Sequence, residues 1–236
     1  MTGGSPRHDG RRHAILAIDT ATSRVIVAVG TPAGDALGLS WWPAEHRHGE
    51  WLLPSIGRVL GEANVRRSRL DAIVVGTGPG AFTGLRVGLA TAKGIAHALG
   101  RPLVGIATSD ALIAAAAAAH DVDPARVVLL LPAGPSDRVE CRAGVAARLL
   151  PAGTDADVRG RDVIVAVDLE GRADADAVTR GDAARDGLGS QLLRLAAARL
   201  AAGAIDDLAG LVPEYVTLPR GVIAASGEVT WSHDSR

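Results

Sequence analysis

A glycine-rich loop follows an apolar run, and this order of elements builds many phosphate sites. The stretch 76-GTGPGAFTG-84 comes directly after 72-AIVVG-76, and a helical pattern follows it. A strand, a tight loop and a helix start can place backbone amides where an anion binds. However, no register of the loop gives the G-x-x-x-x-G-K-S/T sequence of a P-loop. The spacing therefore excludes a P-loop nucleotide site.

A dinucleotide-binding fingerprint fits the same loop only in part. Gly76, Gly78 and Ala81 match the pattern G-x-G-x-x-A that follows the first strand of such a unit. The fingerprint also needs an acid about 20 residues later to bind the ribose. No Asp or Glu lies between Asp71 and Asp110. The sequence therefore argues against dinucleotide binding.

Asp19 stands at the tip of a predicted hairpin. The run 14-AILAI-18 is continuously apolar, 24-RVIVAVG-30 is rich in β-branched residues, and 19-DTATS-23 lies between them. These runs predict two strands joined by a polar turn. A small polar tip can bind phosphate, or its Asp can simply form the turn. Both interpretations stay open at this point.

Other side chains that could do chemistry are few. His46 and His48 are two residues apart and Glu50 follows, so on a strand they could share a face and bind zinc, whereas in a loop they are solvated. Cys141 lies in the alternating run 138-RVECRAGVA-146, which predicts an inert cysteine within a sheet rather than a nucleophile. No Ser-His-Asp order and no pair of carboxylates stands out.

Composition narrows the classes of function. The chain has 236 residues, 47% of them hydrophobic, which suits one domain of two lobes. Its 25 basic and 26 acidic residues nearly balance, which argues against stand-alone binding to nucleic acid. The basic run 66-RRSRL-70 is expected to be a solvated loop. No stretch approaches the about 20 apolar residues of a membrane helix, and residues 1–13 do not form a leader, so we expect a cytoplasmic protein.

The remaining pattern predicts the elements that position these residues. Helices are predicted at residues 50–61, 84–99, 110–120 and 188–203. Further strands are predicted at residues 36–43, 72–76, 102–106, 126–133, 138–150 and 163–168. This order predicts an α/β fold with mixed sheets and crossover helices, divided near residue 105. The expected lobes span residues 14–105 and 106–221, flanked by a disordered tail at 1–13 and a polar tail at 222–236.

Four stretches together resemble the TsaB (YeaZ) family. They are 15-ILAIDTAT-22, 48-HGEWLLP-54, 76-GTGPGAFTGLRVGLATAKGIAHALG-100 and 102-PLVGIATSDAL-112. Beyond residue 112 the resemblance is mainly one of layout, with 213-PEYV-216 as a late match. The family belongs to the superfamily of actin, sugar kinases and Hsp70 (ASKHA, ribonuclease H-like), so the resemblance implies a two-lobed fold of that kind.

The resemblance implies an accessory subunit that is not itself a catalyst. Members of this family dock onto a catalytic paralogue, TsaD, which carries the metal and nucleotide site. Together with the ATPase TsaE, they transfer a threonylcarbamoyl group to N6 of adenosine 37 in tRNAs that read ANN codons. The resemblance thus implies no cofactor or metal in this chain, and contact with tRNA only through the complex. A homodimer is expected in isolation, because an apolar helix face needs cover.

The resemblance also assigns roles to particular residues. The paralogues meet through helices of the N-terminal lobe, here residues 50–61 and 84–99. The candidate interface residues are Leu53, Ile56, Leu60, Leu89, Ala92, Lys93 and Ala96. The hairpin tip matches the superfamily's first phosphate loop and is expected to be vestigial; its residues are Asp19, Thr20, Thr22 and Ser23. The loop glycines are expected to let strand and helix pack closely; they are Gly76, Gly78, Gly80 and Gly84.

Some features depart from the family, and other functions remain open. The turn 132-PAGPSDRVE-140 lacks the family's acid–Arg pair at its usual register. The tail 216-VTLPR-220 lacks the arginine that commonly follows the family's Tyr-Leu pair.

The alternative function is an ATP-binding small-molecule kinase or acyl-transferase of the same superfamily, using Asp19 and the glycine loop. A third is a metallopeptidase using His46 and His48.

Overall fold

The computed structural model describes residues 12–44 and 48–216, except for the side chains of residues 48 and 49. The strands are β1 (Ala14–Asp19), β2 (Arg24–Gly30), β3 (Ala36–Pro43), β4 (Leu70–Gly76), β5 (Leu103–Ile106), β6 (Val127–Pro132), β7 (Arg138–Arg142), β8 (Val145–Leu150) and β9 (Val163–Ala166). The α-helices are α1 (His48–Glu62), α2 (Phe82–Leu99), α3 (Thr108–His120) and α4 (Ala175–Ala201). The expected tails at 1–13 and 222–236 lie almost wholly outside the described residues.

The first sheet has the strand order β3-β2-β1-β4-β5. The first three strands form an antiparallel meander, and β4 and β5 run parallel to β1. Every residue of β1 is buried, as its continuous apolar run predicts for a central strand covered on both faces. The helices α1 and α2 make the crossovers that parallel strands require.

The second sheet has the order β8-β7-β6-β9. Here β6, β7 and β8 are antiparallel neighbours, and β9 runs parallel to β6. The single strand predicted at residues 138–150 is wrong, because the chain turns at Gly144, which has φ of 69°, and forms β7 and β8 instead. Glycine adopts this left-handed conformation without a steric cost.

The helices form two layers around the first sheet. Alternate residues of β1 face opposite sides, so Leu16 and Ile18 join one core with α1 and α2, while Ile15 and Ala17 join another with α3 and α4. The second core also contains Leu129 of β6, so α3 and α4 lie between the two sheets. The predicted fold class, a two-lobed α/β fold with mixed sheets and crossover helices, is confirmed.

The helix α4 begins earlier than the prediction of residue 188. Its N-cap is Asp174, whose carboxylate accepts hydrogen bonds from the amides of Asp176 and Ala177. The first turns bury only small side chains, among them Ala177, Gly181 and Ala184. A stripe of small residues carries little hydrophobic signal, so the periodicity of large apolar residues misses it.

After α4 the chain returns to the first sheet. Asp206 bridges to Leu103, and the amide of Glu214 donates to the carbonyl of Thr77 at 2.8 Å. The lobe boundary near residue 105 remains a prediction. Asp206 and Glu214 lie beyond that boundary in the sequence but contact the first sheet and the loop that follows it. Among residues 12–44 and 48–216, no helix combines the length and apolar character needed to cross a membrane.

Candidate functional site

The hairpin tip between β1 and β2 is held by a buried carboxyl group. Asp19 has no exposed surface. Its Oδ1 accepts from the amide of Ala21 at 2.9 Å, and its Oδ2 accepts from Thr108 Oγ1 at 2.7 Å. Burial raises the pKa of Asp19 to about 6, although both hydrogen bonds favour the ionised form. The carboxyl group therefore serves the turn and the start of α3.

The glycine loop packs directly on this hairpin tip. A Cβ on Gly76 would lie 1.8 Å from Asp19 Oδ2, and one on Gly80 would lie 2.2 Å from the carbonyl oxygen of Ala21. At Gly84 the distance to the Thr20 carbonyl oxygen would be 2.0 Å. Real Cβ contacts are never this short, so these positions require glycine for close approach.

Hydrogen bonds close the same contact. Thr20 Oγ1 donates to the carbonyl of Gly84 at 2.7 Å, and the amide of Ala81 donates to the carbonyl of Ala21 at 2.7 Å. The amide of Gly78, where φ is 103°, donates to Thr108 Oγ1 at 3.1 Å. The hairpin tip thus packs directly on the glycine loop, and the loop amides of Gly78 and Ala81, which could otherwise bind an anion, already have acceptors within the chain.

The far side of the tip is tied to the second sheet by Asp168. Its Oδ2 accepts from the amide of Ser23 at 2.6 Å, and its Oδ1 accepts from Ser23 Oγ at 2.5 Å. Arg185 of α4 pairs with Asp168 and donates to Ser23 Oγ at 2.7 Å. The remaining hydroxyl of the tip, Thr22 Oγ1, donates to the carbonyl of Arg24 at 3.0 Å.

Asp168 binds the tip as an anion would. An amide and a hydroxyl that could hold a phosphate oxygen instead hold its carboxylate, and the guanidinium of Arg185 compensates the charge. Further acids, Asp182 and Glu170, also pair with Arg185. The four tip residues predicted as a vestigial phosphate loop are therefore engaged within the chain.

The other candidate groups do not form a reactive site. Burial raises the pKa of Cys141 to about 12, which keeps the thiol protonated and unreactive. His46 lies outside the described residues, as does the side chain of His48. In the described part of the chain, no group of His, Cys, Asp and Glu side chains could hold a metal ion.

The predicted interface stripe lies mostly inside the protein. Five of the seven candidate residues are at most 7% exposed; they are Ile56, Leu60, Leu89, Ala92 and Ala96. All five pack into the core between α1, α2 and the first sheet, although Ile56 and Leu60 also line an apolar groove between the two helices. For Leu89, Ala92 and Ala96 the assignment is corrected, because a helix that covers a sheet turns its most apolar stripe toward that sheet.

Two of the seven remain accessible. Leu53 is 58% exposed on α1. Lys93 is partly exposed on α2 and donates from Nζ to the carbonyl of Ala209 at 3.2 Å. The outer face of the two helices is therefore made largely of other residues.

An apolar groove lies between α1 and α2. It has a volume of about 510 Å³, and Arg67 is among its lining residues. The helix residues that line it are Leu53, Pro54, Ile56, Gly57, Leu60, Ile95, Ala98 and Leu99. Trp51, near the start of α1, is 55% exposed. Exposed apolar surface of this kind marks a docking site more often than plain surface.

A glycine leaves open space on the outer face of each of the two helices. A Cβ built on Gly57 of α1 or Gly94 of α2 would meet no atom within 4 Å. Gly94 lies one turn before Ala98, on the same face of α2. Gly94 is a costly helix-interior glycine in the sequence, and the four-residue spacing of Ala90, Gly94 and Ala98 places it on a face of small residues.

The turn between β6 and β7 is held by backbone contacts. The amide of Ala133 donates to the carbonyl of Asp137 at 3.0 Å, and Arg172 donates to the carbonyls of Gly134 and Asp137. Arg172 thus supplies a guanidinium from a distant part of the sequence to the turn that departs from the family pattern.

Comparison with known proteins places the chain in a family. Residues 42–229 match the family model described as "TsaD: tRNA N6-adenosine threonylcarbamoyltransferase". An uncharacterized protein of Mycobacterium tuberculosis is 42% identical over 100 residues, covering 42% of this chain and 47% of that protein. The tRNA threonylcarbamoyladenosine biosynthesis protein TsaB of Escherichia coli is 34% identical over 94 residues, 40% of each chain. The chain thus spans less than half the length of these curated relatives.

A solved structure extends the similarity over the fold. YeaZ from Pseudomonas aeruginosa superposes with a TM-score of 0.68 at 26% identity, covering 86% of this chain and 100% of that one. The family model spans most of the chain, and relatives named TsaB and YeaZ share its sequence and fold. The chain therefore belongs to the tRNA N6-adenosine threonylcarbamoyltransferase (TsaD) family, and within it to the TsaB (YeaZ) proteins.

Proposed function

We propose that this chain is a non-catalytic accessory subunit in the biosynthesis of threonylcarbamoyladenosine in tRNA. It docks onto a catalytic TsaD paralogue, and the complex modifies N6 of adenosine 37 in tRNAs that read ANN codons. The observation that carries the proposal is the apolar groove between α1 and α2, because its apolar surface is left uncovered by the described residues and is available to a partner. Relatives named for this pathway support the choice of partner.

Gly57 lines the groove and Gly94 lies one turn before the groove residue Ala98, and these two glycines indicate what kind of element docks there. Glycine in a helix interior costs about 1 kcal/mol relative to alanine. Gly57 and Gly94 stand in helix interiors and face open space, so the chain's own packing does not require them. Small residues let a second helix approach closely. We therefore propose that a helix of the partner lies against α1 and α2.

The occupied hairpin tip supports an accessory role rather than a catalytic one. The donors that a nucleotide phosphate would use bind Asp168, and the glycine loop is filled by the tip itself. The ATP and metal of the reaction are accordingly assigned to the partner subunits. The proposal also includes the ATPase TsaE as a further component, a homodimer through the same groove in isolation, and a cytoplasmic location.

The test replaces Gly94 by leucine and measures affinity for the TsaD paralogue by titration calorimetry. A leucine should stabilise the isolated helix by about 0.8–1 kcal/mol, because glycine is the poorer helix former. We nevertheless expect binding to weaken at least tenfold, since the new side chain fills the path of the docking helix. Ala118→Leu, at an exposed position near the end of α3, is the matched control and should bind normally. Normal binding by Gly94→Leu would place the interface elsewhere.

A further inference from the structure

The amino-terminal ends of three parallel strands gather arginines at one edge of the first sheet. Strands β1, β4 and β5 run in the same direction, with Ala14 opposite Leu70 and Ile73 opposite Leu103. Their preceding residues therefore meet at the edge opposite the glycine loop. We call this group the amino-end patch; its arginines are Arg12, Arg66, Arg67, Arg69 and Arg101.

The backbone under the patch is fixed. Val65 and Leu70, on either side of the basic turn, are 6% and 1% exposed and pack into the core. Between them, residues Arg67–Arg69 form a 3-10 turn closed by the amide of Arg69 donating to the carbonyl of Arg66 at 2.8 Å. The run expected to be a solvated loop is thus an ordered turn in which Arg66 and Arg67 are exposed and Arg69 is partly exposed.

Contacts join the three parts of the patch. Arg101 Nη2 donates to the carbonyl of Ser68 at 3.3 Å, and Arg69 Nη1 lies 3.5 Å from His13 Nε2. The carboxylate at this edge, Asp71, is paired with His13 at 2.8 Å. Over residues 12–44 and 48–216, none of the five guanidiniums forms an ion pair with a carboxylate. A chain with a formal charge of −1 therefore concentrates five positive charges in one place.

We propose that the amino-end patch binds the phosphate backbone of tRNA within the complex. Uncompensated guanidiniums repel one another, and an external polyanion removes that repulsion while releasing its counterions. Arg67 also lines the apolar groove, so the patch continues the proposed docking surface. The other four arginines of the patch do not line the groove, so a helix docked there would leave them accessible to tRNA. The inference rests on the proposed function, since that function supplies the RNA.

The experiment measures binding of an unmodified ANN-reading tRNA transcript as NaCl is raised from about 50 to about 300 mM. It uses the double variant Arg12→Gln/Arg66→Gln, chosen because neither side chain lines the groove. We expect the slope of log K against log salt to fall by about 0.7–0.9 for each lost phosphate contact, or about 1.4–1.8 in total. Arg159→Gln/Arg161→Gln, beside the second sheet, removes the same charge as a control. Both the complex with the TsaD paralogue and the chain alone are titrated.

The outcomes separate this inference from the proposed function. A reduced slope for the double variant only, with unchanged affinity for the TsaD paralogue, supports the patch as an RNA surface. An unchanged slope overturns it. Weaker pairing with the paralogue at an unchanged slope also overturns it, and assigns the patch to an acidic protein surface. If the wild-type chain does not pair with the paralogue, the proposed function fails and the inference fails with it, whereas normal pairing with an unchanged slope overturns the inference alone.

Discussion

Asp19→Asn separates the structural role of the hairpin tip from a catalytic one. Asp19 is completely buried, and its folded pKa of about 6 lies above the ordinary value of 3.8. A carboxyl group whose pKa rises on folding stabilises the folded state most when it is protonated. Its contribution is complete below about pH 3.8 and is lost as the pH rises through about 6.

The size of the effect follows from the shift of the pKa. One pKa unit corresponds to about 1.4 kcal/mol, so a rise from 3.8 to about 6 removes about 3 kcal/mol of stability between acid and neutral pH. The amide that replaces the carboxyl group in this variant cannot ionise, and it keeps an oxygen that can accept from the amide of Ala21. We therefore expect the stability of the variant, relative to wild type, to rise by about 2.4 kcal/mol between about pH 4 and about pH 7.5, because part of the change already lies below pH 4.

The assay is urea unfolding of both proteins across this pH range. The difference between them is needed because other carboxyl groups titrate as well. The guanidiniums of Arg142 and Arg148 lower the pKa of Glu140, and the backbone amide of Arg159 together with Arg142 lowers the pKa of Asp162, which works in the opposite direction. Asp35→Asn, an exposed carboxylate in the turn after β2, controls for the change in net charge. A difference between wild type and Asp19→Asn that stays constant with pH would refute the reasoning, because Asp19 would then titrate alike in both states.

Three further predictions follow from the same contacts. Gly76→Ala should prevent stable folding, seen as loss of a cooperative thermal transition, because the new methyl group would overlap Asp19. Arg185→Met should destabilise the chain by about 1–3 kcal/mol in urea unfolding by leaving the partly buried Asp168 without its cation, and adding Asp168→Asn should recover part of the loss; an undiminished stability would show the pair to be dispensable. Leu53→Glu should shift the isolated chain toward monomer in sedimentation, whereas an unchanged dimer would exclude the groove as the contact.

The sequence predicted the central part of the fold because its signals there are local. A continuous apolar run identified β1 as a strand buried on both faces, and the glycine loop identified the strand-to-helix turn that follows β4. The close packing at Gly76 and Gly84 agrees with the expected structural role, since each glycine meets the hairpin tip.

The candidate site was less predictable because its contacts are not local. Asp168 and Ser23 are 145 residues apart in the chain, and no short pattern reports their pairing. The interface stripe was assigned to the most apolar helix positions, such as Ala92, which the first sheet already covers. The face that is accessible to a partner contains Gly57 and Gly94. Glycines contribute nothing to the hydrophobic periodicity from which the interface was predicted.

The central claim is that the chain acts by docking, and one measurement tests it most directly. Threonylcarbamoyl transfer to an ANN-reading tRNA is assayed with the TsaD paralogue and TsaE, supplied with the threonylcarbamoyl adenylate. The chain is omitted, added as wild type, or added as Gly94→Leu or Asp19→Asn. We expect activity only with the wild type and Asp19→Asn. Equal activity without the chain, or loss of activity in Asp19→Asn while Gly94→Leu remains active, would contradict the claim.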